Sequence, residues 1–92
     1  MEMKITHDQE DFRFFAEVEG EEAEITYTFT EDEEMDFDYT FVPEGSRGQG
    51  IADKLVKAGL EFARKNEYKV IASCPVVEAF VERHPTYKNI LA

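Results

Sequence analysis

The chain has 92 residues and a formal net charge of −11, and 42% of its residues are apolar. This length holds one domain with a modest core and excludes two domains joined by a linker. The one cysteine, Cys74, excludes an internal disulfide and a multi-cysteine zinc cluster. Because His7 and His84 are the only imidazoles, we expect no metal site.

The negative charge is concentrated in the first half of the chain. Residues 1–46 carry a net charge of −14, whereas residues 47–92 carry +3. An acidic surface repels nucleic-acid phosphates and favours cationic partners such as amines or basic proteins. The alternative is that the carboxylates only keep strand edges solvated. The sequence has no 18-residue apolar run and no secretory signal, so we expect a cytoplasmic protein without membrane association. Its composition allows it to fold alone or as a small oligomer, and we expect a monomer.

Four segments with alternating apolar residues predict strands in the first half. They cover residues 3–7, 12–18, 23–30 and 35–42, and polar or acidic turns separate them. Such short turns predict an antiparallel meander. The last three strands are expected to bury one face each, made of Phe12, Phe14, Ala16 and Val18, of Ala23, Ile25, Tyr27 and Phe29, and of Met35, Phe37, Tyr39 and Phe41.

The second half predicts a helix, a strand and a helix. An amphipathic stripe begins after residue 50 and predicts a helix that ends near Asn66. On the exposed face of this helix, Asp53 is expected to pair with Lys57 one turn later. Residues 69–73 are mostly apolar and predict a buried strand parallel to the fourth. Pro75 suits the first position of a second helix, Pro85 ends it, and residues 86–92 are expected to form a short tail. The predicted fold class is therefore α/β (α+β): a four-stranded antiparallel meander, a helix, a fifth strand parallel to the fourth, and a C-terminal helix.

A glycine-rich turn, Arg47-Gly48-Gln49-Gly50-Ile51-Ala52, joins the fourth strand to the first helix. Its glycines follow neither the Walker order nor the dinucleotide order. Glycines at a helix start let a ligand approach the free backbone N–H groups, and the helix dipole favours an anion there. Arg47 adds a charge-assisted donor. The turn therefore suits a phosphate, although the same glycines are also typical of a plain turn.

Further residues on both sides of this turn fit a known family pattern. Val42-Pro43, followed by Arg47-x-x-Gly50-x-Ala52, an amphipathic helix and a buried strand, resembles the acetyl-coenzyme-A-binding motif of the GNAT superfamily of N-acetyltransferases. Thr40-x-Val42-Pro43, the glycine turn, Cys74-Pro75 and Arg83-His84-Pro85-x-Tyr87 together resemble the small stand-alone YjdJ-type members of that superfamily.

The resemblance implies one GNAT-like domain over residues 1–92 that binds acetyl-CoA and transfers its acetyl group to an amine or to a basic protein acceptor. It implies that the backbone amides of residues 47–52 contact the coenzyme A pyrophosphate. The end of the fourth strand would pair with the pantetheine arm, in a gap between the two parallel strands. The cofactor-binding residues implied in this way are Thr40, Phe41, Val42, Arg47, Gly48, Gln49, Gly50, Ile51, Ala52 and Cys74.

Two departures from the family pattern bear on activity. Relatives carry His at the position of Tyr39, and full-size members place helices between their first two strands, where this chain has only residues 8–11. The usual acceptor-binding elements are therefore largely missing. An alternative function is a non-catalytic coenzyme A-binding regulatory module, and a third is an acidic protein-interaction domain with a vestigial turn.

Cys74, Tyr39 and His84 are the candidate catalytic residues. Cys74 precedes a helix that begins with proline, and the dipole of that helix would stabilise a thiolate able to carry the acetyl group as a thioester. The alternative is a small buried hydrophobic residue that only lines the site. We favour direct transfer to the amine over the thioester route. Tyr39 and His84 are the candidates for the base that deprotonates the amine.

Overall fold

Five strands and two α-helices follow one another in a computed structural model that describes residues 4–46, 48 and 50–92. The strands are β1 (Thr6–Asp8), β2 (Arg13–Val18), β3 (Glu21–Phe29), β4 (Met35–Phe41) and β5 (Val70–Ala72), and the helices are α1 (Ile51–Lys65) and α2 (Pro75–Arg83). Short 3-10 helices cover Glu44–Ser46 and Pro85–Ile90. The sheet order is β1-β2-β3-β4-β5, with β4 and β5 parallel and all other pairs antiparallel. The predicted fold class is confirmed.

The core lies between one face of the sheet and α1. This helix contacts β2, β3, β4 and α2, and α2 contacts β5. Alternate residues of β2 and β3 supply the sheet side of the core, as the period-two pattern predicts. The most completely buried large side chains are Phe37, Ile25, Met35, Leu55, Leu60, Val56, Val70 and Val77.

An extra residue interrupts the pairing of β3 with β4. Tyr27 lies opposite Phe37, but the preceding residue of β3, Thr26, lies opposite Tyr39. Asp38 is thus a β-bulge, in which two residues of one strand oppose one residue of the other. Its carboxylate accepts a hydrogen bond from Thr26 Oγ1 at 2.6 Å.

The predicted buried face of β4 is wrong beyond this bulge. Because side chains alternate with a period of two, one extra residue moves all later side chains to the other face. Thr40 lies opposite the buried Ile25 and shares its face, while Tyr39 and Phe41 are 52% and 39% exposed on the opposite one. Regular alternation in the sequence gave no sign of this change.

Two further aromatic residues also depart from their predicted burial. Phe12 precedes β2, has a φ of 54° and is 44% exposed, and Phe29 at the end of β3 is 40% exposed. Their rings still pack edge to face against Tyr27. A backbone in the left-handed region cannot continue the strand, so the alternation of β2 does not extend to Phe12.

The C-terminal residues pack against the sheet instead of trailing as the short tail predicted after Pro85. Within the 3-10 helix Pro85–Ile90, Tyr87 and Ile90 are buried. Leu91 forms a parallel bridge with Val70, and the N–H of Ala92 donates to the Val70 carbonyl at 2.8 Å.

The helix α1 ends at Asn66, as predicted. Asn66 has a φ of −97°, and the next residue, Glu67, takes the left-handed conformation. Among the described residues, no helix combines the length and apolarity needed to cross a bilayer.

Candidate functional site

The parallel strands β4 and β5 separate soon after they meet. Their pairing covers Met35–Phe37 and Val70–Ala72, and the N–H of Cys74 then donates to the Phe37 carbonyl at 2.9 Å. From there the chain turns into α2, whereas β4 continues to Phe41 with β3 as its strand partner. Asp38 directly follows Phe37, the last residue of β4 that pairs with β5. A bulge bends its strand, so β4 changes direction at the point where it leaves β5. Within the described residues, the outer edge of β4 beyond Phe37 is therefore not covered by a strand.

Thr40 and Cys74 face each other across this gap. The Thr40 Oγ1 lies 3.4 Å from the Cys74 Sγ, close enough for a hydrogen bond to sulfur. Cys74 is only 5% exposed and occupies the N-cap of α2 with an extended backbone (φ −83°, ψ 128°). Pro75 follows at the first helical position, as predicted. The thiol therefore sits beside both the end of the gap and a helix N-terminus.

Gly48 and Gly50 lie in the segment that leads from the end of β4 to the start of α1. Gly50 is the N-cap of α1, with a φ of 74°, and Gly48 has a φ of 84°. A Cβ placed on either glycine would meet no heavy atom within 4 Å, so the space beside the turn is open. The first N–H groups of an α-helix have no acceptor within the helix. Arg47 and Gln49, two of the predicted cofactor-binding residues, lie outside the described residues.

An ion pair ties the first turn of α1 to the end of α2. The Arg83 guanidinium donates two hydrogen bonds to the Asp53 carboxylate, both 2.9 Å long. These bonds hold the pKa of Asp53 below its usual range, and partial burial opposes them. The sequence predicts that Asp53 pairs with Lys57 one turn later on α1, and that prediction is wrong because Arg83 takes the carboxylate.

A cavity of about 380 Å³ opens beside this ion pair. Its walls combine two cations of α1 with aromatic rings from the end of α2 and the following 3-10 helix: Asp53, Lys54, Lys57, Phe80, His84, Thr86 and Tyr87. The Tyr87 hydroxyl donates to Glu61 at 2.6 Å, which lowers the pKa of Glu61. This bond holds the C-terminal segment against α1.

The structure does not bring the three candidate catalytic residues together. His84 ends α2 and Cys74 begins it, so about nine residues of helix, roughly 14 Å, separate them. The His84 ring packs 4.3 Å from the ring of Phe80. Tyr39 points away from the face that Thr40 shares with the core. Neither candidate base therefore lies beside the Thr40 and Cys74 pair.

Comparison with known proteins gives the family. A family model described as GCN5-related N-acetyl-transferase matches residues 13–90. These residues include both α-helices and all strands except β1. The chain belongs to this family. Its membership confirms the predicted resemblance to the GNAT superfamily and marks the chain as an acetyltransferase domain.

Relatives of this GCN5-related N-acetyl-transferase cover most of the chain. Protein NATD1 from mouse is 28% identical over 85 residues, which span 90% of this chain and 77% of the mouse protein. Human protein NATD1 is also 28% identical, over 90% of this chain and 75% of the human protein. The NMR structure of a GCN5-like protein from Staphylococcus aureus shares 34% identity, with a TM-score of 0.76 over 97% of this chain and 87% of that one.

Proposed function

We propose that this GCN5-related N-acetyl-transferase binds acetyl-CoA between β4 and the start of α1 and transfers the acetyl group to an amine. The observation that carries this proposal is the gap between β4 and β5, together with the open space at Gly48 and Gly50 where the chain passes from β4 to α1. A strand edge offers N–H and C=O groups to an amide-containing chain, and a helix N-terminus offers N–H groups to phosphates.

The residues around the gap fit such a ligand. The backbone of Thr40, Phe41 and Val42 is suited to contact the pantetheine amides, and the N–H groups of residues 47–52 are suited to contact the pyrophosphate. The left-handed backbone of Gly48 and Gly50 and the open space beside both residues support this, because no side chain there blocks a ligand from the backbone. Arg47 and Gln49 remain part of the proposal, although they lie outside the described residues.

When bound, acetyl-CoA supplies an acetyl group activated as a thioester. In the proposed transfer, the amine nitrogen forms a bond to the acetyl carbonyl carbon and the carbon–sulfur bond breaks. The nitrogen loses one proton as it becomes an amide, and the departing sulfur takes up one proton, so coenzyme A leaves as a thiol. Thr40 and Cys74 line the gap at its inner end. Because Tyr39 and His84 both lie away from that pair, we expect the acceptor's ammonium form to lose a proton to water first, and the neutral amine then attacks. The rate then rises with pH until the amine is deprotonated.

Cys74 could instead accept the acetyl group before the amine does. Its low exposure and its contact with Thr40 favour a residue that lines the site over one that reacts. We therefore keep direct transfer as the proposed route.

The first test is a titration of the protein with acetyl-CoA, followed by calorimetry and by amide chemical shifts. We expect one site, with the largest shifts at Thr40, Gly48, Gly50 and Cys74. The matched control ligand is S-acetylpantetheine, which lacks the pyrophosphate and should leave the Gly48 and Gly50 amides unshifted. The absence of any shift at these glycines with acetyl-CoA would overturn the proposal.

A second test separates an enzyme from a binding module. Only residues 9–12 connect β1 to β2, so the chain lacks helices there that could hold an acceptor. This observation favours the alternative of a non-catalytic coenzyme A-binding module. Release of free thiol from acetyl-CoA in the presence of polyamines or lysine peptides supports the enzyme, whereas binding without thiol release across the panel supports the module.

A further inference from the structure

The sheet has one face that the helices do not cover. On this face, which we call the open sheet face, lie Arg13, Phe15 and Glu17 of β2, Glu22, Glu24 and Thr26 of β3, and Asp36, Asp38, Tyr39 and Phe41 of β4. The bulge at Asp38 adds Tyr39 and Phe41 to it, and both rings are substantially exposed. Exposed aromatic rings that cluster on one face of a small protein are typical of an interaction surface.

The open sheet face already binds one cation within the chain. The Arg13 guanidinium lies 4.2 Å from the centre of the Phe15 ring. The same guanidinium donates to Glu22 at 2.8 Å and to Glu24 at 3.0 Å. An aromatic ring and carboxylates thus hold a cation together, by a cation–π contact and by charge-assisted hydrogen bonds.

The neighbouring part of the face, on β4, also combines aromatic rings with carboxylates. Tyr39 and Phe41 lie beside Thr26 and Glu24 across the strands, and Asp38 adds a further carboxylate. Among the described residues, no guanidinium or ammonium group makes a cation–π contact with either ring. Asp36 lies on the same face, and one of its carboxylate oxygens is buried without a hydrogen-bond partner among the described residues.

We propose that the open sheet face binds a basic segment of another protein through Tyr39, Phe41 and the surrounding carboxylates. Lysine or arginine side chains of the partner would lie over these rings as Arg13 lies over Phe15. Charge complementarity selects this occupant, because every residue of the face belongs to the half of the chain that carries −14. A second copy of the chain, with its own charge of −11, would be repelled.

A cavity at the edge of the face extends it toward the glycine turn. It has a volume of about 390 Å³ and is lined by Glu21, Glu22, Phe41, Pro43, Glu44 and Gly45. The aliphatic stem of a lysine can pack on Phe41 and Pro43 while its ammonium group meets the glutamates. The cavity leads a bound basic segment toward the end of β4. A role of that segment as the acetyl acceptor would rest on the proposed function, whereas its binding to the open sheet face does not.

Binding can be tested without acetyl-CoA, so that a failure here leaves the proposed acetyl transfer standing. The probe is a short synthetic peptide of alternating lysine and alanine, and the control probe replaces each lysine with glutamate. Amide chemical shifts of the wild-type chain should move at Phe15, Thr26, Tyr39 and Phe41 with the lysine peptide and not with the control. Affinity should fall as salt rises, because surface charges are screened.

Two matched double variants distinguish peptide binding to the open sheet face from a general attraction of the peptide to the acidic chain. Glu17→Gln with Asp38→Asn removes two charges from the face, and Glu31→Gln with Asp32→Asn removes two from the turn before β4. We expect the first pair to weaken peptide binding by about fivefold and the second by less than about twofold. Tyr39→Thr should also weaken binding by about fivefold, whereas Tyr39→Phe keeps the ring and should bind like the wild type.

Three results would overturn the proposal. Shifts confined to residues 31–34 would place the peptide on the acidic turn. Equal losses in both pairs of charge variants would indicate attraction to net charge alone. Spermine binding at the same residues as tightly as the peptide does would indicate a free polyamine as the ligand.

Discussion

The Thr40 Oγ1 and the Cys74 Sγ lie 3.4 Å apart, across the place where β4 and β5 have stopped pairing. Thr40 reaches Cys74 only because the bulge at Asp38 moves it to the face of Ile25. Without the extra residue, Tyr39 would occupy that face and Thr40 would point to the opposite side. A single irregularity in β4 therefore both opens the strand edge and selects the side chain that lines it.

Replacement of Cys74 by Ala should leave acetyl transfer within about threefold of the wild type, because direct transfer does not use the thiol. The free energy of unfolding should fall by about 1 kcal/mol, since a buried sulfur atom is lost. Turnover is measured by thiol release, and mass spectrometry of the wild type with acetyl-CoA should show no acetyl adduct. An acetylated Cys74 in the wild type, together with loss of turnover but not of binding in the variant, would contradict direct transfer.

Gly50→Ala should weaken acetyl-CoA binding more than it lowers stability. The added Cβ meets nothing, but a φ of 74° costs a residue with a side chain about 1 kcal/mol. The turn can relieve this strain by rotating, which moves the N–H groups away from the proposed pyrophosphate site. Calorimetry with acetyl-CoA measures the loss, which we expect to be about tenfold for a displacement that weakens two hydrogen bonds.

Gly45→Ala is the matched control for this change. Gly45 is also free of close neighbours, but its φ is not positive. Alanine restricts the unfolded chain at such a position, so stability should be equal or slightly higher and binding unchanged. Equal effects of the two substitutions on acetyl-CoA affinity would show that the conformation of Gly50 does not matter for binding.

Gly59→Ala tests the packing of α1 on β4. A Cβ at Gly59 would lie 2.8 Å and 2.9 Å from Cε1 and Cζ of Phe37. Alanine gains about 1 kcal/mol of helix propensity, but overpacking of a full core costs about 1–3 kcal/mol. Because the Phe37 ring is completely buried and cannot move aside, we expect the overpacking to exceed the propensity gain.

Urea unfolding measures this balance, and Ala58→Gly calibrates the propensity alone. That control should cost about 1 kcal/mol, since Ala58 is only half-buried on the same helix. A Gly59→Ala variant more stable than the wild type would mean that β4 shifts to accept the methyl group.

The sequence predicts the order and type of the elements because each one has a local signal. Alternation gives β2 and β3, the helical stripe gives α1, and Pro75 marks the start of α2. The same rules failed at Asp38 and Phe12. A bulge leaves no mark in a regular alternating pattern, and the left-handed backbone at Phe12 depends on the turn before β2.

The candidate site was predictable in part for a similar reason. Gly50 and Pro75 act through their own backbones, so their positions could be inferred locally. The contact of Cys74 with Thr40 and the ion pair of Asp53 with Arg83 join residues at least 30 positions apart. Such pairs depend on how α1, α2 and β4 pack, which no short pattern in one sequence specifies.

His7 is enclosed by aromatic side chains between β1 and α1. Its ring stacks on Phe14 with 3.9 Å between centroids and meets the edge of Phe62 at 4.4 Å. Its Nε2 lies 2.6 Å from the Tyr27 hydroxyl. Burial lowers the pKa of His7, and the charge of Asp8 opposes this only in part. The folded protein therefore favours the neutral imidazole.

Stability should consequently fall when the pH is lowered through the ordinary pKa of histidine. Below a pH of about 6.5 the unfolded chain binds a proton at His7 that the folded chain does not. The free energy of unfolding therefore decreases as the pH falls from this value to the lower pKa of His7 in the folded protein. The carboxylates of Asp53 and Glu61, whose pKa values are lowered, affect stability at more acidic pH.

Urea unfolding between about pH 7.5 and about pH 5.5 isolates the histidine contribution. We expect His7→Gln to flatten this slope, and an NMR titration of His84→Gln, where only the His7 imidazole remains, to give a midpoint below 6.5. A His7→Gln variant that keeps the wild-type slope would contradict the prediction.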